Sequence, residues 1–178
     1  MNTIEALQTR RSIRRYLDRP VDRALIEQIV SAASYAPSWK NTQTAGYIAV
    51  TDPAAREKIA AEMLPPYNAE IVRSAPVLMV MTTRTGRSGF ERDGSFSTKK
   101  EDRWQYFDAG IACQSFCLAA HELGLSTVIM GIYDEDRLTE FLKPDAEHIL
   151  TALIALGYAD GEAACPKKRT VEELLQYV

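Results

Sequence analysis

Arg10-Arg11-Ser12-Ile13-Arg14-Arg15-Tyr16 places four guanidinium groups and the Ser12 hydroxyl within its first six residues. Guanidinium is planar, permanently charged and able to hold two oxygens of a phosphate or carboxylate at once. A charge run is usually a solvated face. This one runs against its background, because the chain as a whole carries a net charge of −3. A second basic group, Lys167-Lys168-Arg169, follows Cys165-Pro166 near the other end. Convergence of both groups on one anion is the chemistry these residues could do. A third stretch, Pro37-Ser38-Trp39-Lys40-Asn41-Thr42-Gln43, is a polar loop around one large aromatic, of the kind that presents hydrogen-bonding groups to a ligand.

Other reactive residue types offer less. Cys113, Cys117 and His121 share one helical face at four-residue spacing. At 1.5 Å rise per residue the first and last lie about 12 Å apart, too far for one metal ion to reach all three. The two cysteines read as small core residues, and no metal site is expected. With two histidines in the chain, a zinc site or a histidine-based triad has little material. There is no Gly-x-Ser-x-Gly elbow, no Gly-x-x-x-x-Gly-Lys-Ser/Thr loop, and no Gly-x-Gly-x-x-Gly after a strand. If the chain is an enzyme, a bound cofactor carries the difficult chemistry while the protein grips and orients it. No catalytic side chain is expected.

Composition narrows the class further. A chain of 178 residues, 46% hydrophobic and 25% charged, has the make-up of one folded domain with a full core. The acidic balance argues against a general nucleic-acid binder. Met1-Asn2-Thr3-Ile4-Glu5 lacks the regions of a signal peptide, and no apolar run approaches the roughly 20 residues of a membrane span. Three cysteines form no disulfide framework, so a reducing cytoplasm is expected.

The elements that must position these residues follow from caps and periodicity. Asn2 with Glu5 is a capping-box variant opening a helix with Ile4 and Leu7 inward. Asp22 caps a second helix, stapled by Val21 and Ile26 and ended by Ala36-Pro37. Tyr47-Ile48-Ala49-Val50-Thr51 reads as a strand, and Asp52-Pro53 opens a helix that Pro65-Pro66 ends. Val77-Leu78-Met79-Val80-Met81 reads as a strand covered on both faces. Residues 84–102, rich in Gly, Ser and Arg, have little to bury except Phe90 and Phe96, and a mobile flap is expected there, a disordered insertion being the alternative. Residues 104–123 are apolar almost all round, as in a central helix with a partner subunit against its other side. Gly124 ends it, Val128-Ile129-Met130-Gly131-Ile132 is a strand, residues 135–142 a short helix, and residues 149–158 the last strand. With neither repeat nor boundary, residues 1–178 are expected to form a single α+β domain, a sheet with helices packed against it.

Taken together, these stretches resemble the FMN-dependent nitroreductase family. Arg10-Arg11-Ser12-Ile13-Arg14-Arg15-Tyr16 is similar to its opening signature, and Ala36-Pro37-Ser38-Trp39-Lys40-Asn41-Thr42-Gln43 to its second. Ala155-Leu156-Gly157-Tyr158 and Pro166-Lys167-Lys168-Arg169 resemble its third and fourth, so the resemblance spans essentially the whole chain in order. It implies a mainly antiparallel central sheet, a homodimer, and an oxidoreductase passing hydride from NAD(P)H through FMN to a nitroaromatic, quinone or similar electron-poor acceptor. It implies that Arg10, Arg11, Ser12, Lys167, Lys168 and Arg169 hold the FMN phosphate and ribityl chain, and that Arg14 reaches the pyrimidine end of the ring. It also implies that Pro37, Ser38, Trp39 and Asn41 come from the other subunit and that the backbone at Gly131 passes the central ring. An asparagine before the second strand often contacts the flavin, and Asn68 stands near that position. The family usually continues Gln-Pro-Trp where this chain has Gln43-Thr44-Ala45. Phe90 and Phe96 are the candidates to stack on an acceptor. Relatives that dehalogenate, cleave flavin or oxidise azolines supply alternative reactions, and a non-enzymatic anion-binding module is the reading from another class.

Overall fold

The computed structural model describes residues 1–178. The chain forms α1 (Thr3–Thr9), α2 (Arg23–Ala33), a 3₁₀ turn (Trp39–Asn41), β1 (Ala45–Val50), α3 (Pro53–Met63), α4 (Pro66–Ser74) and β2 (Val77–Arg84). It continues with α5 (Arg103–Glu122), β3 (Ser126–Met130), α6 (Glu135–Leu142), β4 (His148–Gly157) and α7 (Val171–Leu174). The four strands make one sheet in the order β1-β2-β4-β3, every neighbouring pair antiparallel. The class is α+β, and no helix is long and apolar enough to cross a membrane.

Strand periodicity explains the continuous apolar run of β2. Leu78 and Val80 point to one face, packed with α3, α4 and α6 through Ile59, Val72 and Leu138. Val77, Met79 and Met81 point to the other, packed with α2 and α5 through Ile29, Ala112 and Phe116. Helices therefore cover both faces, which is why neither set of side chains is polar. Cys113 and Cys117, 5% and 1% exposed, lie inside the second cluster as core residues.

Two local expectations are corrected and a third is extended. Pro65-Pro66 does follow the end of α3, but Pro66 also opens α4 as its first residue, where proline's missing N–H costs nothing. Ile4 and Leu7 do not point inward; they are 67% and 51% exposed, and α1 buries only Ala6. Gly131 and Ile132 lie beyond β3, which ends at Met130. The buried side of α5 is apolar from Ala109 to Ala120 but also holds Gln105 and Asp108, and Tyr106 and Phe107 remain more than half exposed within one chain.

The segment after β2 has no helix or strand from residue 85 to 102, but it is tied down. Ser88 and Gly89 are buried, Gly86 N–H donates to Gln105 Oε1 at 2.8 Å, and Ser97 N–H donates to Gly89 O at 2.8 Å. A Cβ on Gly89, at φ 89°, would meet the Glu101 carbonyl oxygen, so the close turn there requires glycine.

Candidate functional site

The first arginine group is held between α1 and β3. Asn2 caps α1 by accepting from Glu5 N–H at 2.9 Å, and the helix ends as Arg10 leaves the helical conformation. The chain then runs beside β3, with Ile13 N–H donating to Thr127 O at 3.0 Å and Ser12 bridged to Thr127. Tyr16 anchors the far end. Its hydroxyl donates to Ile13 O at 2.7 Å and lies 3.1 Å from Ala155 O, and burial pushes its pKa far up, so it stays a neutral donor. Gly157 permits this, since a Cβ there would stand 3.0 Å from Tyr16 Cδ1 and 2.6 Å from Pro76 Cδ.

The guanidinium groups divide into two kinds. Arg15 is paired with Asp160 at 3.2 Å. Arg10, Arg11 and Arg14 have no carboxylate partner: Arg11 donates back to the carbonyls of Gln8 and Arg10, and Arg14 to Ser12 O at 3.4 Å. Arg10 Nε is buried with no acceptor at all. His121 accompanies them, its Nε2 2.9 Å from Thr9 Oγ1, and burial together with the Arg10 charge holds it below its ordinary value. The cluster is rich in donors and short of acceptors, as an anion site must be.

Gly131 follows β3, the strand beside which Ser12 and Ile13 run at Thr127, and Asn68 meets the backbone just after it. Asn68 is 8% exposed and its Nδ2 donates to Ile132 O at 2.9 Å, so α4 fixes the backbone that follows Gly131. Sequence reasoning did not contain α4 and so could not assign Asn68 this role.

Pro37, Ser38, Trp39 and Asn41 are elsewhere. Their loop leads into β1, the opposite edge strand from β3. Ala45 aligns through Thr83 with Ile149, whereas Thr127 aligns with Leu156, seven residues along β4. Strand spacing and rise put these two corners of the sheet on the order of 25 Å apart. Ser38 Oγ accepts from Gln43 N–H at 2.9 Å, and Trp39 N–H donates to Asp108 Oδ2 at 2.9 Å. The Thr44 departure is absorbed at the start of β1: Thr44 is buried, its carbonyl accepts from Arg84 N–H, and its hydroxyl has no partner. Asp108, which holds this loop, was missed by sequence reasoning, and its signal was a carboxylate set among the apolar residues Phe107, Ala109, Ile111 and Ala112 of α5. A cavity of about 550 Å³ between α2, this loop, β1 and α5 is lined by Val30, Thr44, Tyr47 and Asp108 among others.

Lys167, Lys168 and Arg169 are exposed, and Arg169 donates to Glu173 O. No hydrogen bond joins residues 161–178 to the rest of the chain, so the two basic groups do not meet within it. The tail leaves the body at Asp160, whose N–H donates to Arg15 O beside the first group. Phe90 and Phe96 pair with ring centroids 4.9 Å apart on the 85–102 segment.

The sequence model of the nitroreductase family matches residues 7–65 and 61–158. The chain belongs to the nitroreductase family. It is 36% identical over 162 residues, 89% of its length and 78% of the relative's, to a provisionally named NADH dehydrogenase/NAD(P)H nitroreductase of Methanothermobacter thermautotrophicus. It is 31% identical to an FMN reductase [NAD(P)H] of Bacillus subtilis, covering 92% of this chain and 69% of that one. Among solved structures, a provisionally assigned nitroreductase from Desulfovibrio desulfuricans in complex with FMN superposes with a TM-score of 0.79 at 27% identity, covering 100% of this chain and 98% of the other. A nitroreductase family protein of Streptococcus pneumoniae shares the fold at a TM-score of 0.87 and 20% identity, covering 99% and 100%.

Proposed function

We propose that this chain is an FMN-dependent NAD(P)H oxidoreductase that reduces nitroaromatics, quinones or related electron-poor acceptors as a homodimer in the cytoplasm. The observation that carries the reading is the donor-rich group of Arg10, Arg11 and Arg14, unpaired while the adjacent Arg15 has its carboxylate. A buried Arg10 Nε without an acceptor fits the phosphate of FMN. Arg10, Arg11 and Ser12 hold the phosphate end, Lys167, Lys168 and Arg169 close on it from the tail, and Arg14 stands at the pyrimidine end of the ring. The backbone at Gly131, fixed by Asn68, lies along the ring, and Pro37, Ser38, Trp39 and Asn41 reach it from the second copy. FMN held there would supply the hydride carrier between NAD(P)H and the acceptor. The guanidinium of Arg14 would stabilise negative charge gathering at the pyrimidine. No side-chain acid or base is required for the transfer.

The homodimer accounts for surfaces that one chain leaves bare. Ile4 and Leu7 of α1, Phe107 of α5, and Leu174, Leu175 and Tyr177 of the tail are all about half exposed or more. So much apolar surface is what a second copy would cover. The separation of about 25 Å between the Arg10 end and the Trp39 loop also suits a site completed across two chains.

The test is colour and turnover. Purified protein should carry a flavin absorption spectrum and oxidise NAD(P)H when a nitroaromatic or quinone is added; a colourless preparation that cannot be reconstituted with FMN would refute the reading and favour a plain anion-binding module. A second reaction is favoured by one relative, iodotyrosine deiodinase 1 of Sus scrofa, 26% identical over 91% of this chain and 63% of its own length. Release of iodide from an iodinated tyrosine, faster than nitroaromatic reduction under the same reductant, would move the assignment to dehalogenation.

A further inference from the structure

The root of the tail is fastened to the arginine segment by a short antiparallel ladder. Asp160 N–H donates to Arg15 O at 3.0 Å, Tyr16 is bridged to Ala159, and Leu17 N–H donates to Tyr158 O at 2.9 Å. Arg15 and Asp160 are joined a second time through their side chains, Nη2 to Oδ2 at 3.2 Å. Arg19 stacks on the Tyr158 ring at 3.8 Å and closes the ladder at its other end. The residue after Asp160 is Gly161, at φ 99°, with open space where a Cβ would stand. Such a backbone turns the chain in a way that strains other residues. Beyond the turn, residues 161–178 make no hydrogen bond to the body. Lys167 stands seven positions past Asp160, a reach of up to about 25 Å. Arg10 stands five positions before Arg15, at most about 18 Å from it. The tail is therefore long enough to double back over Arg10, Arg11 and Arg14, and its direction is set where it leaves the body.

We infer that Arg15 and Asp160 are positioning residues that aim the tail, so that Lys167, Lys168 and Arg169 approach the anion held by Arg10, Arg11 and Arg14. This rests on the reading above, in which that anion is the FMN phosphate. Arg15 belongs to the same run as the gripping arginines but directs its guanidinium to a carboxylate, so it acts on the cofactor through the tail. The pair lies on the surface, with side chains 81% and 45% exposed, and such a pair adds little to the stability of the fold. It acts by preorganisation: a tail already pointed at the phosphate loses less freedom when it closes.

Charge reversal separates aim from charge, read by fluorescence titration of apoprotein with FMN. Asp160→Arg adds a positive group near the phosphate, so simple attraction would tighten FMN, whereas loss of aim should weaken it about fivefold, the scale an exposed ion pair supports. Arg15→Asp should weaken it as well, and the double swap, Arg15→Asp with Asp160→Arg, should restore wild-type affinity. Asp160→Arg combined with Arg169→Ala should weaken FMN by less than the product of the separate effects, because both act through one tail. The urea midpoint of each variant should stay at the wild-type value. FMN bound as tightly as wild type, or more tightly, in Asp160→Arg would overturn the inference, and so would a double swap that fails to restore affinity. Effects of Asp160→Arg and Arg169→Ala that simply multiply would show that the pair does not act through the tail. A urea midpoint that falls along with FMN affinity would mark a general disturbance of the segment and overturn it too. The flavin reading itself fails separately, as wild-type apoprotein that does not bind FMN.

Discussion

Arg10 is the residue on which the cofactor reading depends most. Its Nε is buried without an acceptor, whereas Arg15 five positions on is satisfied by Asp160. Loss of one charge-assisted contact costs about 1.5 to 3 kcal/mol, so Arg10→Ala should weaken FMN about ten- to hundredfold, read by fluorescence titration of apoprotein. Unchanged affinity would show that phosphate lies elsewhere. His121 reports on the same spot. Burial first, then the Arg10 charge, lowers its pKa from 6.5, with Glu122 opposing. Because the folded value lies below the unfolded one, the unfolded state binds protons better in that window, and His121 destabilises the fold as pH falls through and below 6.5. Its ring-proton NMR titration in flavin-free protein should have a midpoint below 6.5 and move upward when FMN phosphate joins the arginines; a midpoint at or above 6.5 before FMN is added would mean that the Arg10 charge does not reach it.

At the scale of elements, the arginine segment is positioned by β4 as much as by its own neighbours. Tyr16 reaches Ala155 O, Leu17 N–H donates to Tyr158 O, and Arg19 stacks on Tyr158 at 3.8 Å. Gly157 makes room for that ring. In Gly157→Ala the new methyl would stand 2.6 Å from the Pro76 ring and 3.0 Å from Tyr16, and neither neighbour is a flexible chain end. Overpacking of this kind costs about 1–3 kcal/mol. The variant should show a lower urea midpoint and weaker FMN binding together, because the displaced Tyr16 carries Ile13 and the arginines with it. A stability loss with FMN affinity intact would separate the anchor from the site.

One copy of the chain leaves apolar surface bare, which the proposed homodimer would cover. Both faces of the sheet are covered, yet α1, the outer side of α5 and the tail expose large apolar side chains, and the tail makes no hydrogen bond to the body. Light scattering should give about 40 kDa, twice the 19.9 kDa chain, at micromolar concentration. Truncation after Asp160 should leave the two core clusters intact, since neither includes a residue beyond Tyr158, while removing FMN binding with Lys167, Lys168 and Arg169. A folded, FMN-loaded monomer in either form would contradict the proposed assembly.

What was legible in the sequence is what short-range forces decide. Asn2, Asp22 and Asp52 cap helices because each side chain reaches an N–H two or three residues on. The apolar run of β2 and the motifs around Arg10 and Trp39 were likewise readable, because their signal lies in consecutive residues. The 85–102 segment was not, since what orders it comes from Lys40 pairing with Glu91 across 51 positions and Ser88 meeting Thr42 across 46. Asn68 gained its role only when α4 brought it to Ile132, 64 positions away. The placement of Arg10 and Trp39 at opposite corners of the sheet was decided by strand order, β1-β2-β4-β3, which no local pattern encodes. Strand pairing is settled by which buried faces fit together once the chain has closed, and only the tertiary structure holds that information.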